Sequence, residues 1–243
     1  MVPAPERVTV ALPTYNELEN LPLITPEIVA FGYRLLIIDD NSPDGTGRLA
    51  DSLAADLSEV TVLHREAKEG LGPAYAAGFD RALSEGAEIV IEMDADFSHD
   101  PADLPRLVAE IEDGADVAIG SRYVPGGSTP DWPRIRQLIS RGGNLYARAM
   151  LGIPIRDATA GFRAYTADAL RRLRYRDAEA SGYGFQVELA WRAHGAGMKV
   201  VEVPISFRDR QRGTSKMGAP IVLEAMFLVT MWGLRRLFGS SRE

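Results

Sequence analysis

The chain has 243 residues, of which 46% are hydrophobic and 25% are charged. This composition is ordinary for a globular protein and excludes disordered, collagenous and coiled-coil classes. The chain contains no cysteine, so disulfide frameworks, thiolate nucleophiles, iron–sulfur clusters and cysteine-ligated zinc are excluded too. Its three histidines are scattered along the sequence, which makes oxygen atoms the expected ligands of any bound metal.

The net charge of −7 disfavours nucleic acid as a partner, but it hides a division of charge along the chain. Residues 1–120 carry 7 Lys and Arg against 24 Asp and Glu, whereas residues 121–243 carry 20 against 10. An acidic half suits a divalent cation, and a basic half suits phosphates or an anionic membrane surface. No basic segment followed by an apolar stretch opens the sequence, so we predict a cytoplasmic protein.

Five short, apolar, β-rich runs alternate with helix-like segments in the first half. The predicted strands are Val8–Leu12, Leu35–Asp39, Val60–Leu63, Ile89–Met93 and Val117–Ile119. The predicted helices are Glu17–Ala30, Thr46–Leu57, Pro73–Glu85 and Pro101–Asp113. This alternation predicts βαβ units, and therefore an α/β fold of the nucleotide-binding type with a mostly parallel sheet flanked by helices.

Ligands of such sheets bind outside the carboxyl ends of the strands, so the residues that follow each run are the candidates for a site. Asp39 and Asp40 end the second run. The alternation of side chains along a strand predicts that one of them turns outward to a base or ribose while the other points back into the structure.

Asp94 and Asp96 follow the fourth run. Residues i and i+2 of an extended chain face the same side, so their carboxylates can converge and would repel each other without a cation. Mg²⁺ or Mn²⁺ would remove the repulsion, with phosphate oxygens and water completing the coordination. Neither glycine-rich phosphate-binding motif of dinucleotide or P-loop enzymes is present, so phosphates are expected to be held by the metal and by Arg or Lys.

The basic half offers two further segments. An amphipathic helix is predicted after Trp132 and Pro133, and it places Arg136 and Ser140 on one face because they are four residues apart. The loop Phe207–Gly218 mixes arginines and a lysine with small residues, a pattern typical of a mobile lid.

The run Ile221–Leu234 is apolar at all but two of its positions and is followed by two arginines. It falls short of the roughly 20 residues needed to cross a bilayer. Because it is apolar on nearly every face, we expect a helix that is buried in the core, in a partner or in the lipid interface.

Seven blocks of sequence, taken together and in order, closely resemble the dolichol-phosphate (polyprenol-phosphate) mannosyltransferases, which are family-two glycosyltransferases with the GT-A fold. The resemblance extends from about residue 7 to residue 217. The blocks are Leu12–Glu17, Ile38–Thr46, Glu69–Gly72, Met93–Asp96, Gly120–Tyr123, Ala158–Arg163 and Tyr183–Gln186.

The resemblance implies inverting transfer of mannose from GDP-mannose to the phosphate of a polyprenyl lipid, with Mg²⁺ or Mn²⁺. It implies donor-binding roles for Pro13, Tyr15, Glu17, Ile38, Asp40, Asp94, Ala95, Asp96, Arg122, Arg210 and Lys216. Asp94, Asp96 and Arg122 would be catalytic, and the acceptor phosphate would meet Arg122, Arg136 and Ser140. For Pro13 and Ile38 the alternative is a buried turn, and for Arg122, Arg210 and Lys216 it is a solvated charge.

Some members of that family carry a glutamine as a third metal ligand, two residues after the second aspartate. This chain has Ser98 there, a weaker ligand that water could replace. Two other sets of residues stay open between shaping a sugar pocket and serving the fold. They are Asp157, Thr159, Phe162 and Arg163, and then Gln186 and Glu188.

The domain prediction is a single GT-A catalytic domain over residues 1–218, with a nucleotide-sugar half (1–120) and an acceptor half (121–218), followed by an apolar helix over 219–243. The expected partners are GDP-mannose, a polyprenyl phosphate, the cytoplasmic face of a membrane, and a membrane-embedded subunit or fused domain. Alternatives are hexosyl transfer from a UDP-sugar such as UDP-glucose, and a nucleotide-sugar-binding subunit whose catalysis has lapsed. A sugar-1-phosphate nucleotidyltransferase is disfavoured, because it needs a glycine-rich loop after the first strand.

Overall fold

The computed structural model describes residues 4–180, 182, 184–210 and 219–239, and within the last segment it describes the side chains of 223–236. Seven strands form one sheet in the order β3-β2-β1-β4-β6-β5-β7. They are β1 (Val8–Thr14), β2 (Arg34–Asp39), β3 (Val60–His64), β4 (Ile89–Glu92), β5 (Val117–Ser121), β6 (Arg163–Thr166) and β7 (Val200–Pro204). The five predicted strands are confirmed, and strands from both halves of the chain share the sheet.

Eight α-helices accompany the strands in the described part of the chain. They are α1 (Leu21–Val29), α2 (Thr46–Asp56), α3 (Leu71–Ser84), α4 (Leu104–Glu112), α5 (Arg134–Leu151), α6 (Ala167–Leu173), α7 (Gly184–Gly195) and α8 (Ala219–Gly239). The four helices predicted in the first half are present with shifted ends. The largest shift is at α1, because the segment before it turns tightly and Leu21 N–H bonds back to the carbonyl of Glu17.

The predicted α/β fold with a mostly parallel sheet is confirmed. β6 is the exception, since it pairs antiparallel with both β4 and β5. Residues of β1, β2, β4 and β5 are almost all buried on both faces, as expected of strands covered by helices on two sides. Two hydrophobic clusters, one on each face of the sheet, make up the core.

The register of the parallel strands brings their carboxyl ends to one edge. Thr14 at the end of β1 lies opposite Asp39 at the end of β2, and Asp39 lies opposite His64 at the end of β3. β4 is shorter, so the segment that begins at Met93 leaves the sheet beside the end of β1. The loops that follow β1, β2 and β4 therefore meet at this edge, where the candidate site lies.

Helix α8 packs one face onto α5 and α7. Trp232 is 1% exposed and stacks on Trp191 with the ring centroids 5.6 Å apart, while the hydroxyls of Tyr146 and Thr230 are 2.6 Å apart. The opposite face leaves Leu223 and Phe227 about two-thirds exposed, at 65% and 64%. Among the described residues no helix is both long and apolar enough to cross a bilayer.

Candidate active site

Strained backbone marks the carboxyl edge of the sheet. Asn16, Asn41 and Phe97 have left-handed φ angles of 57°, 58° and 61°, and they lie in the loops after β1, β2 and β4. A non-glycine residue in this region costs on the order of 1 kcal/mol or more and persists where the surrounding structure imposes it. Such strain at three neighbouring strand ends directs attention to these loops as a functional site.

Hydrogen bonds tie the loop after β1 to the loop after β2. The backbone N–H of Glu17 donates to Oγ1 of Thr46 at 2.9 Å, and the same hydroxyl donates to Asp44 at 2.7 Å. Burial acts to raise the pKa of Asp44, but hydrogen bonds from Thr46 and Leu18 outweigh it and hold that pKa below its ordinary value. The loops after β1 and β2 thus form one side of the site, a wall that carries the ionised carboxylate of Asp44.

Asp39 and Asp40 are both buried, so the prediction that one of them turns outward is wrong. Asp39 is 4% exposed and its carboxylate lies 3.4 Å from the backbone N–H of Ser42. Asp40 instead accepts a hydrogen bond from Arg65 at 2.5 Å; burial raises its pKa, and Arg65 opposes that shift. The two carboxylates thus differ in their partners, and a contact of Asp40 with a base or ribose stays a prediction.

The predicted nucleotide contacts differ in accessibility. The ring of Tyr15 lies at the edge with Nζ of Lys68 4.0 Å from its centroid, and Pro13 is half-buried. The side chain of Ile38 is 0% exposed and packs against Gly78 of α3. A contact between Ile38 and a nucleotide can therefore involve only its backbone, because the side chain belongs to the core.

Asp94, Asp96 and Ser98 form the oxygen-bearing corner of the site. Asp94 is about one-third exposed and Asp96 is buried, accepting a hydrogen bond from the backbone N–H of Ser98 at 3.0 Å. The hydroxyl of Ser98 is buried and has no hydrogen-bond partner among the described residues. Two carboxylates beside an unsatisfied hydroxyl match the ligand chemistry of a hard divalent cation. No cluster of three or more His, Asp or Glu side chains suited to a metal occurs in the described ranges, so water would complete the coordination.

His99 holds the backbone of this corner in place. Its Nδ1 lies 3.2 Å from the backbone N–H of Asp94 and accepts that hydrogen bond. The ring stacks on Phe162 with centroids 4.9 Å apart. Burial lowers the pKa of His99 to about 4, so the imidazole is neutral at physiological pH and Nδ1 is available as the acceptor.

Of the predicted phosphate-binding cations in the loop after β7, the structure describes Arg210. Arg210 lies with Nη2 3.1 Å from Oδ2 of Asp96, so it already reaches the metal corner. Lys216, and the part of the predicted lid from 211 to 218, lie outside the described residues.

Arg122 is held rigidly at the other side of the site. It donates two hydrogen bonds to the carboxylate of Asp157, at 2.7 and 2.6 Å, and one to Thr159 at 2.8 Å. The rings of Trp132 and Phe207 lie about the guanidinium, with centroids 5.5 and 5.3 Å from its carbon. Such bidentate pairing fixes both the charge and the plane of the guanidinium.

The predicted acceptor residues come together around these rings. Arg136 stacks on Trp132 at 3.9 Å and forms an ion pair with Asp209. Ser140 accepts a hydrogen bond from the hydroxyl of Tyr123 at 2.6 Å. The ring of Tyr123 also faces Arg122, at 5.3 Å, so the structure brings the three predicted acceptor residues to one place.

Several residues of the site have no individual role predicted from the sequence. His99, Trp132, Phe207 and Asp209 are isolated in loops or at a helix start, and only the fold shows that they surround Asp94, Arg122 and Arg136. Asp157 pairs with Arg122 in a buried ion pair, which is compatible with both a site role and a folding role, so its role in the site stays a prediction. Glu202 of β7 orients it by accepting the backbone N–H of Asp157 at 2.9 Å.

Comparison with known proteins identifies relatives along nearly the whole chain. The model of glycosyl transferase family 2 matches residues 9–174. Polyprenol monophosphomannose synthase of Mycolicibacterium smegmatis is 50% identical over 233 residues, covering 95% of this chain and 88% of that protein. Undecaprenyl-phosphate mannosyltransferase of Micrococcus luteus is 50% identical over 230 residues, covering 94% of each.

Solved structures share the fold at lower identity. Glucosyl-3-phosphoglycerate synthase of Mycobacterium tuberculosis, in complex with Mn²⁺, UDP-glucose and phosphoglyceric acid, superposes with a TM-score of 0.70 at 19% identity. The superposition covers 93% of this chain and 79% of that one. The predicted GT-A fold is thereby confirmed.

Proposed function

We propose that this chain, which belongs to the polyprenol-phosphate mannosyltransferases of glycosyl transferase family 2, transfers mannose from GDP-mannose to a polyprenyl monophosphate with inversion at the anomeric carbon. The observation that carries the proposal is that Asp94 and Arg122 line the same cavity. The corner formed by Asp94, Asp96 and Ser98 would hold the donor diphosphate and its cation. Arg122 and Arg136, on the other side of the site, would hold the acceptor phosphate. The names of the two bacterial relatives support mannose as the sugar and a polyprenyl phosphate as the acceptor.

The wall at the ends of β1 and β2 fits a nucleoside. Asp40 and Tyr15 stand at its rim, and Asp40 is oriented by Arg65. A carboxylate so placed can accept hydrogen bonds from the ring N–H and amino group of guanine, or from the hydroxyls of the ribose. We assign Asp40 to the guanosine, Pro13, Tyr15 and Glu17 to the wall, and Ala95 to the floor beside the diphosphate.

A divalent cation, Mg²⁺ or Mn²⁺, would be held by Asp94 and Asp96 with Ser98 or water as a further ligand. When bound it would neutralise charge that develops on the departing diphosphate. Arg210 and Lys216 would act on the same charge from the side of the loop. Asp96 must release Arg210 for this to happen, because the two now form an ion pair.

The acceptor side needs cations rather than a base. A phosphate monoester is already an anion at pH 7, so its oxygen can attack without losing a proton. The catalytic requirement is to bring two anionic reactants together in the correct orientation. Arg122, fixed by Asp157, and Arg136, stacked on Trp132, supply that attraction at fixed positions, while Ser140 adds a hydroxyl.

We further propose that α5 and α8 rest on the cytoplasmic face of a membrane that contains the acceptor. On α5 the side chains of Ile135, Leu138, Ile139 and Leu145 are 64–68% exposed and follow helical spacing. Arg134 precedes this stripe in the sequence, Arg141 lies between Ile139 and Leu145, and both arginines are exposed. An apolar stripe edged by cations is typical of a helix that lies in the lipid interface. Arg136 and Ser140 belong to the same helix, so the lipid phosphate would reach them directly from the membrane.

A donor and acceptor matrix tests the proposed reaction. GDP-mannose, UDP-glucose and GDP-glucose are each offered with polyprenyl phosphates of several chain lengths, and the lipid products are identified by mass spectrometry. We expect transfer of mannose from GDP-mannose and negligible transfer from the other donors. Transfer from UDP-glucose alone would identify a glucosyltransferase instead. Tight GDP-mannose binding without any transfer would identify a lapsed binding subunit.

A further inference from the structure

We infer that the side-chain amide of Gln186 binds a hydroxyl of the donor hexose and thereby selects the sugar. This inference rests on the proposed function and adds the residue that distinguishes one hexose from another. It starts from a group of buried polar side chains beneath the cavity, which the proposed reaction does not use: Glu92 of β4, Tyr165 of β6 and Gln186 of α7.

Gln186 is 1% exposed and lines the cavity together with Asp94, Arg122 and Thr159. Neither its amide oxygen nor its amide nitrogen has a hydrogen-bond partner of good geometry among the described residues. The amide therefore keeps donor and acceptor capacity for a ligand that offers both a donor and an acceptor.

The backbone around Gln186 is held in place by Arg163. This guanidinium is 0% exposed and donates to three carbonyls, those of Ala158, Ala160 and Gln186, at 2.7–2.8 Å. Ala160 lines the cavity as well. Arg163 therefore locks the first turn of α7 to the loop on the far side of the cavity, and it fixes the position from which the Gln186 side chain starts.

Beneath Gln186 lie Glu92 and Tyr165. Both carboxyl oxygens of Glu92 and the hydroxyl of Tyr165 are buried without a well-formed hydrogen bond in the described part of the chain. The Gln186 amide and the Tyr165 hydroxyl nevertheless act on the Glu92 carboxyl as weak hydrogen-bond partners and oppose the rise of its pKa. These groups form a polar floor that favours an amide side chain over an apolar one at this position.

Hexose hydroxyls match the amide chemically. Each hydroxyl can donate one hydrogen bond and accept others, and a carboxamide offers two donors and an acceptor oxygen. The cavity has a volume of about 40 Å³, enough for about one water molecule, so a hexose needs its walls to open. Phe207 is one of those walls.

The test compares binding of GDP with binding of GDP-mannose by calorimetry. Gln186→Met keeps the length and approximate volume of the side chain but removes both hydrogen-bonding groups. We expect GDP to bind as in the wild type and GDP-mannose to bind about 10- to 100-fold more weakly, the loss of one buried hydrogen bond to a ligand. Tyr165→Phe is the matched control, because it removes a polar atom from the same floor at a residue that does not line the cavity.

Deoxymannose analogues of the donor complete the test. The analogue that lacks the hydroxyl in contact with Gln186 should bind weakly to the wild type. Gln186→Met should not weaken the binding of that analogue further, because the hydrogen bond is already missing. Equal weakening of GDP and GDP-mannose would overturn the inference and leave Gln186 with a role in the fold, as would an unchanged affinity for both. If the wild type bound neither ligand, the assignment of the donor would fail instead, and the two failures are therefore distinguishable.

Discussion

Arg210 Nη2 lies 3.1 Å from Oδ2 of Asp96, which places a predicted diphosphate-binding cation on a predicted metal ligand. The two interactions of Asp96 compete, because a divalent cation and a guanidinium both take its carboxylate oxygens. Donor and cation together would resolve the competition, since the diphosphate gives Arg210 another anion to bind.

The first prediction follows from this competition. Arg210→Ala should bind Mn²⁺ more tightly than the wild type in the absence of nucleotide, yet transfer mannose more slowly. Mn²⁺ affinity is measured by the loss of the free-ion paramagnetic resonance signal. Arg208→Ala is the control, because Arg208 is an exposed neighbour in the same loop. Weaker Mn²⁺ binding by Arg210→Ala would mean that Arg210 assists the cation site rather than competing for it.

The second prediction contrasts two ion pairs of the acceptor side. Asp157 is 0% exposed and pairs with Arg122, which is 8% exposed, so Asp157→Asn leaves a buried guanidinium with weakened pairing. The expected loss is about 3–5 kcal/mol of unfolding free energy. Asp209 is 39% exposed where it pairs with Arg136, and Asp209→Asn should cost less than about 1 kcal/mol. Urea unfolding measures both, and equal losses would contradict the structural role given to Asp157.

The sequence predicted five of the seven strands, because each of the five is an apolar run bounded by turn residues. β6 gave no such signal, since its four residues begin with Arg163 and end in a threonine. Its place between β4 and β5 is set by antiparallel pairing across a long sequence separation. Pairing of this kind depends on the tertiary structure and not on a local pattern.

The candidate site likewise contains residues that the sequence predicts and pairs of residues that only the fold brings together. The rule that ligands bind at the carboxyl ends of strands located Asp40, Asp94 and Asp96, because strand ends are visible in the sequence. The ion pairs of Arg122 with Asp157 and of Arg136 with Asp209 join residues 35 and 73 positions apart. No spacing rule selects such partners among the many acidic residues of the chain.

The third prediction concerns pH. Burial raises the pKa of Glu92 to about 8, against an ordinary value of 4.5, with Arg163 opposing the shift. The folded protein therefore holds this proton at pH values where the unfolded chain has released it, so stability falls as pH rises through that window. Glu92→Gln cannot titrate, and its unfolding free energy relative to the wild type should rise by about 1.4 kcal/mol per pH unit across the window. Unfolding free energies of the two proteins that change in parallel between pH 5 and pH 8, a window of roughly three pH units, would contradict the raised pKa of Glu92.

The fourth prediction concerns the membrane face. Ile139 of α5 and Phe227 of α8 are 65% and 64% exposed, so replacing them with serine should leave folding unchanged and weaken flotation with anionic vesicles. Leu18→Ser is the control, because Leu18 is an exposed apolar residue in the loop after β1. Unchanged flotation of the double variant Ile139→Ser, Phe227→Ser would exclude this face as the attachment surface.

Formation of a mannosyl lipid is the decisive measurement for a cation-assisted transfer of mannose to a lipid phosphate. Purified protein is incubated with GDP-mannose and a polyprenyl phosphate, with Mn²⁺ or with EDTA, beside an Asp96→Asn variant whose fold is verified by circular dichroism. We expect a polyprenyl phosphate carrying one mannose in the wild-type reaction with Mn²⁺. In EDTA, or with the variant, we expect the reaction to be at least about 100-fold slower, equivalent to about 2.7 kcal/mol of barrier. An undiminished rate in EDTA, or no mannosyl lipid from the wild-type protein with Mn²⁺, would contradict the cation-assisted transfer.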